Sequence, residues 1–240
     1  MISTTALTKR FGSTLALNSV TLRFPGNDVV ALIGPNGSGK TTLIKSILGL
    51  VIPDSGSISI GEKPVLGGWD YRRNIGYMPQ ISRFPDNMKV GELFGMIRDI
   101  RGDEGADTDL MKAFGIETMV NKRMYGLSGG TRQKISACLA FLFRPGILIL
   151  DEPTAGLDPV STELFREKIK TEHAAGRLIV ITSHVLSELD DLVTSVTFMN
   201  EGSVMLSESI ATLQQQTGAG KLNTIVARIL QQRDAKGGVA

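Results

Sequence analysis

Apolar residues in this chain follow two rhythms that alternate along its length. Residues 29–33 (VVALI), 147–150 (ILIL) and 178–181 (LIVI) are short unbroken runs, the pattern of strands covered on both faces. Between them the apolar positions recur at helical spacing, in the segment opened by Lys40-Thr41-Thr42 and again over residues 90–100, 110–114 and 131–143. In the last of these, Ile135, Cys138, Leu139 and Leu142 fall on one face, which makes Cys138 a core residue. Asp158-Pro159 reads as an N-cap followed by proline at the first helical position, and opens a helix to about residue 175. Short apolar strands alternating with helices predict an α/β fold, with a parallel sheet between helical layers.

The flanks read differently. Over residues 2–28, Val20, Leu22 and Phe24 alternate with Thr21 and Arg23 and stop at the turn Pro25-Gly26-Asn27-Asp28, which predicts a hairpin or meander. A second alternating strand covers 57–60 after Pro53-Asp54-Ser55-Gly56, residues 61–75 are polar and glycine-containing, and a short strand covers 75–78 before Pro79-Gln80. Residues 85–125 change character to a small helical insert, broken by an acidic loop at 102–109. Residues 193–199 and 204–206 read as a terminal hairpin around Glu201-Gly202, followed by glutamine-rich helices and a loose tail at 235–240. No internal repeat is present.

Composition narrows the class without naming it. The 240 residues suffice for one large domain or one with a sub-domain, and 42% hydrophobic with 21% charged residues is ordinary for a globular protein. A net charge of +2 is too small to argue for a nucleic-acid footprint, and a single cysteine excludes an internal disulfide or a Cys₄ zinc site. The first twenty residues lack the apolar core of a signal peptide, and the longest apolar stretch, 137–150, is interrupted by Arg144-Pro145-Gly146 and too short to span a bilayer. The expectation is a chain that is soluble by itself.

Candidate chemistry gathers at three places. Residues 34–41, Gly34, Pro35, Asn36, Gly37, Ser38, Gly39, Lys40 and Thr41, read G-x-x-x-x-G-K-T between a strand and a helix, with Thr42 following. Glycines let successive N–H groups curl around an anion, and the helix start adds its positive end. Lys40 supplies a cation for outer phosphates, and Thr41 a hydroxyl where Mg²⁺ would sit. A plain tight bend is the alternative; the spacing is not that of a dinucleotide fingerprint. The expected ligand is a nucleoside triphosphate. Asp151 and Glu152 end the 147–150 run, where α/β sheets bind ligands. Asp151 is suited to Mg²⁺ and Glu152 to polarising a water for in-line attack, against the alternative of two exposed acids opening a loop. Ser128-Gly129-Gly130 precede a helix, and are either a second anion site serving another copy of the chain or a simple cap made by Ser128.

The run LSGGTRQ at 127–133 resembles the signature of ATP-binding cassette (ABC) ATPases, and further motifs of that family occur in order. Gln80 matches the Q-loop glutamine, residues 155–158 the D-loop that ends in Asp158, His184 the switch histidine, and Phe11 the aromatic that stacks on adenine. The resemblance implies a P-loop NTPase fold with a RecA-like core, an antiparallel β subdomain and an α-helical subdomain at about 85–140. It covers residues 1–213, leaving 214–240 as a helical extension and tail. It also implies a homodimer in which each ATP lies between one chain's 34–42 loop and Ser128, Gly129, Gly130 and Gln133 of the other. Thr41, Gln80 and Asp151 would hold Mg²⁺, with Glu152, His184 and Gln80 serving hydrolysis.

By the same resemblance the chain is the ATPase subunit of a transporter. Its partners would be an integral membrane permease and a periplasmic accessory protein, its place the cytoplasmic face of the inner membrane, and no nucleic acid is involved. A soluble, non-transport cassette is the alternative. Only 88 positions separate Lys40 from Ser128 (128 − 40), too few for the long coiled coil of DNA-repair cassettes. Residues 71–85 and 183–188 look like the ATPase subunit of Nos-type transporters, which serve copper-centre maturation in nitrous oxide reductase. Exporters of drugs, polysaccharides or sodium share the rest. The scattered methionines, such as Met78, Met88 and Met96, make no copper site, so any cargo falls to partners.

Overall fold

In the computed structural model, which describes residues 1–102 and 105–237, with side chains through 229, the unbroken apolar runs are the inner strands of a sheet. An N-terminal hairpin comes first, β1 (Ile2–Phe11) and β2 (Thr14–Phe24), then β3 (Val29–Ile33) and α1 (Lys40–Ile47). After β4 (Ser55–Ile60), β5 (Lys63–Pro64) and β6 (Ile75–Met78) come three helices, α2 (Val90–Arg101), α3 (Asp109–Ala113) and α4 (Gly129–Phe141). The chain continues through β7 (Ile147–Asp151), α5 (Pro159–Ala174) and β8 (Leu178–Thr182). It closes with β9 (Ser195–Asn200), β10 (Ser203–Ser209), α6 (Ile210–Thr217) and α7 (Leu222–Gly237). The larger sheet runs β10-β9-β3-β8-β7-β6, parallel except for β10, and the smaller runs β2-β1-β4-β5, antiparallel throughout.

The alternation of a strand explains why the central runs are apolar at every position. Val30, Leu32, Ile149 and Val180 point to one side, where α1 and the antiparallel sheet bury them with Leu43, Ile44, Ile2 and Leu17. Ala31, Leu148, Leu150, Ile179 and Ile181 point to the other, against Phe94 of α2, Ile135 and Phe141 of α4, Phe165 of α5 and Ile225 of α7. With both faces sealed, any polar chemistry of β3, β7 and β8 has to sit at the strand ends.

Several readings move by a few residues. Helix α4 spans Gly129–Phe141 rather than 131–143, because Ser128 caps it and the turn at Arg144 follows. Its buried face is broader than the spacing implied, with Ala137 and Ala140 inside and Leu139 only half-buried. Cys138 is 1% exposed and burial pushes its thiol far up, so it is an inert core residue. The stretch 61–75 holds β5 and a 3-10 turn at Asp70–Asn74, while β9 begins at Ser195 rather than 193. The tail expected at 235–240 is helical to Gly237; residues 238–240, like Asp103 and Glu104 of the acidic loop, lie outside the described residues.

One buried ionic cluster ties the helical insert to the sheet layer. Lys168 Nζ of α5 lies 2.6 Å from Asp107 Oδ2 and 3.0 Å from Glu172 Oε1, and Arg177 Nε lies 2.6 Å from Glu172 Oε2. The Asp107 N–H donates to Leu142 O at 2.6 Å, at the end of α4. Burial alone would raise the Asp107 pKa, but the Lys168 hydrogen bond, the Asp109 N–H and the Lys168 and Arg144 charges outweigh it and hold it below the ordinary range. A depressed carboxylate stabilises the fold above its unfolded pKa and loses that contribution as pH falls through the folded value. Lys168→Met removes the cation shared by Asp107 and Glu172, leaving Asp107 only the more distant Arg144 and Glu172 only Arg177, and is expected to cost about 3 kcal/mol in urea unfolding near neutral pH. That deficit should shrink on acidification.

Candidate active site

The carboxyl ends of β3, β6, β7 and β8 converge on one edge of the parallel sheet, and a cleft of about 310 Å³ opens there. Its walls are Asn36, Gly37, Ser38, Gly39, Lys40, Thr41 and Thr42 from the turn after β3, Gln80 after β6, Asp151 and Glu152 from β7, and His184 after β8. Thr14 and Ala16 of β2 complete it. Phe11 is half-exposed at the hairpin end, paired in register with Thr14, with Lys9 Nζ 5.4 Å above its ring.

The turn at 34–39 owes its shape to distant backbone. A Cβ on Gly34 would stand 2.1 Å from Met199 O, and one on Gly39, where φ is 101°, 2.5 Å from Ala16 O. The Gly202 N–H donates to Ser38 O at 3.1 Å and Gly202 O accepts from the Asn18 N–H at 2.8 Å, so the β9–β10 turn stitches the loop to β2. Helix α1 then starts at Gly39, which has no side chain to cap it. Its first-turn N–H groups are left facing the cleft, where an anion can take them. Lys40 Nζ donates to Gly34 O at 2.8 Å and Pro35 O at 3.0 Å, folded over its own loop. Burial lowers the Lys40 pKa, while the charges of Asp151 and Glu152 oppose the shift.

Thr182 is a member of the site that no motif marks. Its hydroxyl donates to Asp151 Oδ1 at 2.5 Å and accepts from the Glu152 N–H at 3.0 Å. Thr182 O also accepts from that N–H at 3.2 Å. These contacts hold Glu152 at a φ of 49°, a left-handed conformation that costs a glutamate about 1 kcal/mol. The carboxylate is thereby turned toward His184, with Nε2 2.7 Å from Glu152 Oε1. No spacing in the sequence marks it: it ends β8 and lies opposite Asp151 only through the β7–β8 register.

Ser128 lies elsewhere. Its Oγ accepts from the Thr131 N–H at 3.2 Å, so it does cap α4, but the cap takes one amide and leaves those of Gly129 and Gly130. Gly129, Gly130 and Gln133 border a separate depression of about 380 Å³ with Ile81, Ser82 and Gly156. Gln80 is on the wall of both hollows. Gln133 accepts from Ser82 Oγ at 3.1 Å. Asp158 lines neither hollow: it caps α5 through the Ser161 N–H at 2.9 Å and pairs with Lys134 Nζ at 2.7 Å. The Lys134 bond, with the Ser161 N–H and hydroxyl, holds the Asp158 carboxyl far below the usual range.

Residues 17–155 match the family model described as ABC transporter. The chain is 32% identical over 202 residues to the Nod factor export ATP-binding protein I of Burkholderia lata, covering 81% of this chain and 66% of that protein. It is 32% identical over 211 residues to the lantibiotic transport ATP-binding protein SrtF of Streptococcus pyogenes, covering 87% and 90%. A solved structure of the ATP binding subunit of an ABC transporter superposes with a TM-score of 0.89 at 27% identity, over 96% of this chain and 99% of that one. A dimeric ATP-binding cassette in a post-hydrolysis state, bound to ADP and Pi, shares the fold, with a TM-score of 0.77 at 23% identity over 88% and 99%.

Lys134→Met should move the Asp158 titration up toward the ordinary carboxylate range, with the Ser161 N–H and hydroxyl still holding it below that range, followed by carboxyl carbon NMR. Ser161→Ala removes less of the stabilisation and should move that titration less.

Proposed function

The chain belongs to the ABC transporter family of ATP-binding proteins, with the α/β fold of its ATPase domain, and on that premise we propose that it powers a separate membrane permease for export. It binds and hydrolyses ATP, the activity of the family. The observation that carries the site assignment is the convergence of Lys40, Thr41, Gln80, Asp151, Glu152 and His184 from four strand ends on one cleft.

In this reading the triphosphate lies along the 34–42 loop, its outer phosphates taking the free amides of α1. Lys40 exchanges its contacts with Gly34 O and Pro35 O for phosphate oxygens, and Phe11 stacks on the base beside Thr14. Glu152, fixed by Thr182, accepts a proton from the attacking water, and His184 donates to the γ-phosphate. Among the described residues no three His, Cys, Asp or Glu side chains form a metal cage. A hydroxyl, an amide and one carboxylate (Thr41, Gln80, Asp151) are the sparse set that suits Mg²⁺ when phosphates complete its shell. Bound there, Mg²⁺ would neutralise charge on the phosphate oxygens.

Gly129 and Gly130, at the start of the helix that Ser128 caps, border a different hollow from the cleft of their own chain, which favours a head-to-tail homodimer with each ATP between two copies. Each charge-assisted hydrogen bond to the γ-phosphate is worth roughly 1.5–3 kcal/mol, so several per site can close the dimer and their loss can open it. Residues 1–213 form the ATP-hydrolysing unit in this proposal, with the helical subdomain at about 85–140 meeting the permease near Gln80 and 214–240 as an extension. No helix among the described residues is long and apolar enough to cross a membrane, so attachment to the cytoplasmic face runs through the permease. The names of the relatives, Nod factor export and lantibiotic transport, support an exporter. For cargo, the Nos-type reading rests on residues 71–85 and 183–188 alone; the permease that co-purifies with the chain decides it.

Glu152→Gln is expected to bind ATP and accumulate as a dimer, with turnover lowered about a thousandfold. Sedimentation with ATP and phosphate release check it. Mixing Lys40→Ala with Ser128→Arg copies should restore part of the ATPase activity, because one of the two composite sites is then intact. No recovery on mixing would rule out sites shared between copies.

A further inference from the structure

Beyond the residues of the cleft, a second contact joins the two segments that carry Glu152 and His184. Thr154 Oγ1 donates to Glu188 Oε2 at 2.6 Å, and both side chains are half-buried. Thr154 follows Glu152 by two residues and begins the turn into 155–158, its O accepting from the Leu157 N–H at 3.1 Å. Glu188 follows His184 by four, at the end of a 3-10 turn, Leu186–Glu188, whose Glu188 N–H donates to Val185 O at 3.1 Å. His184 Nε2 returns to Glu152 Oε1 at 2.7 Å, and the ring of contacts closes.

The ring is anchored on its outer side. Arg166 of α5 donates to Glu188 O, and Asp190 Oδ1 accepts from the Leu222 N–H at 2.7 Å, which starts α7. Leu189, 4% exposed, drops into the apolar cluster beside Leu222 and Ile225. The 186–190 segment is therefore held by α5 and α7, and the Thr154–Glu188 bond transmits that fixed position to the turn after β7. His184 itself is exposed, and among the described residues Glu152 is its one side-chain partner, so its place depends on the backbone that follows it.

We propose that Thr154 and Glu188 are a positioning pair, which sets His184 against Glu152 and joins both to the 155–158 turn that ends at Asp158. Neither lines the cleft. Their bond limits how far the β7 and β8 loops separate, so hydrolysis and the placing of Asp158 share one mechanical link. The inference rests on the reading of Glu152 and His184 as the hydrolysing pair.

Thr154→Val keeps the shape and removes the donor. Its kcat for ATP should fall about tenfold with KM for ATP within twofold of the parent, because ground-state binding is untouched. Thr154→Ser should restore kcat, Glu188→Ala should match Thr154→Val, and the double variant should be no slower than either single one. Glu188→Gln keeps an acceptor oxygen and should retain most of the rate. A kcat for Thr154→Val within twofold of the parent overturns the proposal, as does an equal loss in Thr154→Ser, or a loss in which KM and the thermal unfolding midpoint move in step with kcat. If Glu152→Gln were fully active the underlying site assignment would fail; an inactive Glu152→Gln beside a fully active Thr154→Val sinks the pair alone.

Discussion

A strand sealed on both faces exposes only its ends, and that constraint arranges this protein. β3, β7 and β8 have every side chain between their termini committed to one apolar layer or the other. Parallel pairing brings their carboxyl ends to a common edge, so the Gly34 loop, the Asp151–Glu152 pair and the Thr182–His184 segment become neighbours although about 150 residues of sequence separate them. The two layers do more than stabilise the sheet. They leave the edge as the place where phosphate, carboxylate and imidazole chemistry can meet.

The helix starts divide the labour. α4 and α5 begin with Ser128 and Asp158, whose side chains take N–H groups of the first turn, whereas α1 begins at a glycine with nothing to offer. A helix that ends its amide ladder without a cap is costly unless something else supplies the acceptor. Lys40 meanwhile satisfies its ammonium on carbonyls of the same loop. Both arrangements are provisional and suit an anionic guest, which gives acceptors to the amides and a better partner to the lysine. The Glu152 backbone carries a comparable tension, held in a left-handed conformation by a bifurcated hydrogen bond from its N–H to Thr182 O and Oγ1.

Much of this was legible in the chain because it depends on local periodicity. The VVALI run followed by Gly34 to Thr42, the carboxylates after ILIL, and the proline after Asp158 each announce an element and its end within a few residues. What could not be read depends on pairing. Nothing near Thr182 says that it will lie beside Asp151; that follows from β8 lying next to β7 in the sheet. Lys134 and Asp158, or Lys168 and Asp107, meet across loops whose course no spacing encodes. The separation of Ser128 from the cleft is likewise a statement about three dimensions, since the cap and the anion-site readings of that residue have the same sequence.

The stitching of the phosphate loop has a consequence for how the protein comes to life. Gly34 rests on Met199, and Ser38 is held by Gly202, so a motif written near the beginning is completed by a hairpin translated much later. A nascent chain that has released residue 60 into solution already carries the whole 34–42 loop, yet lacks the backbone against which that turn is moulded. The loop therefore takes its folded shape only after nearly all of the polypeptide has left the ribosome.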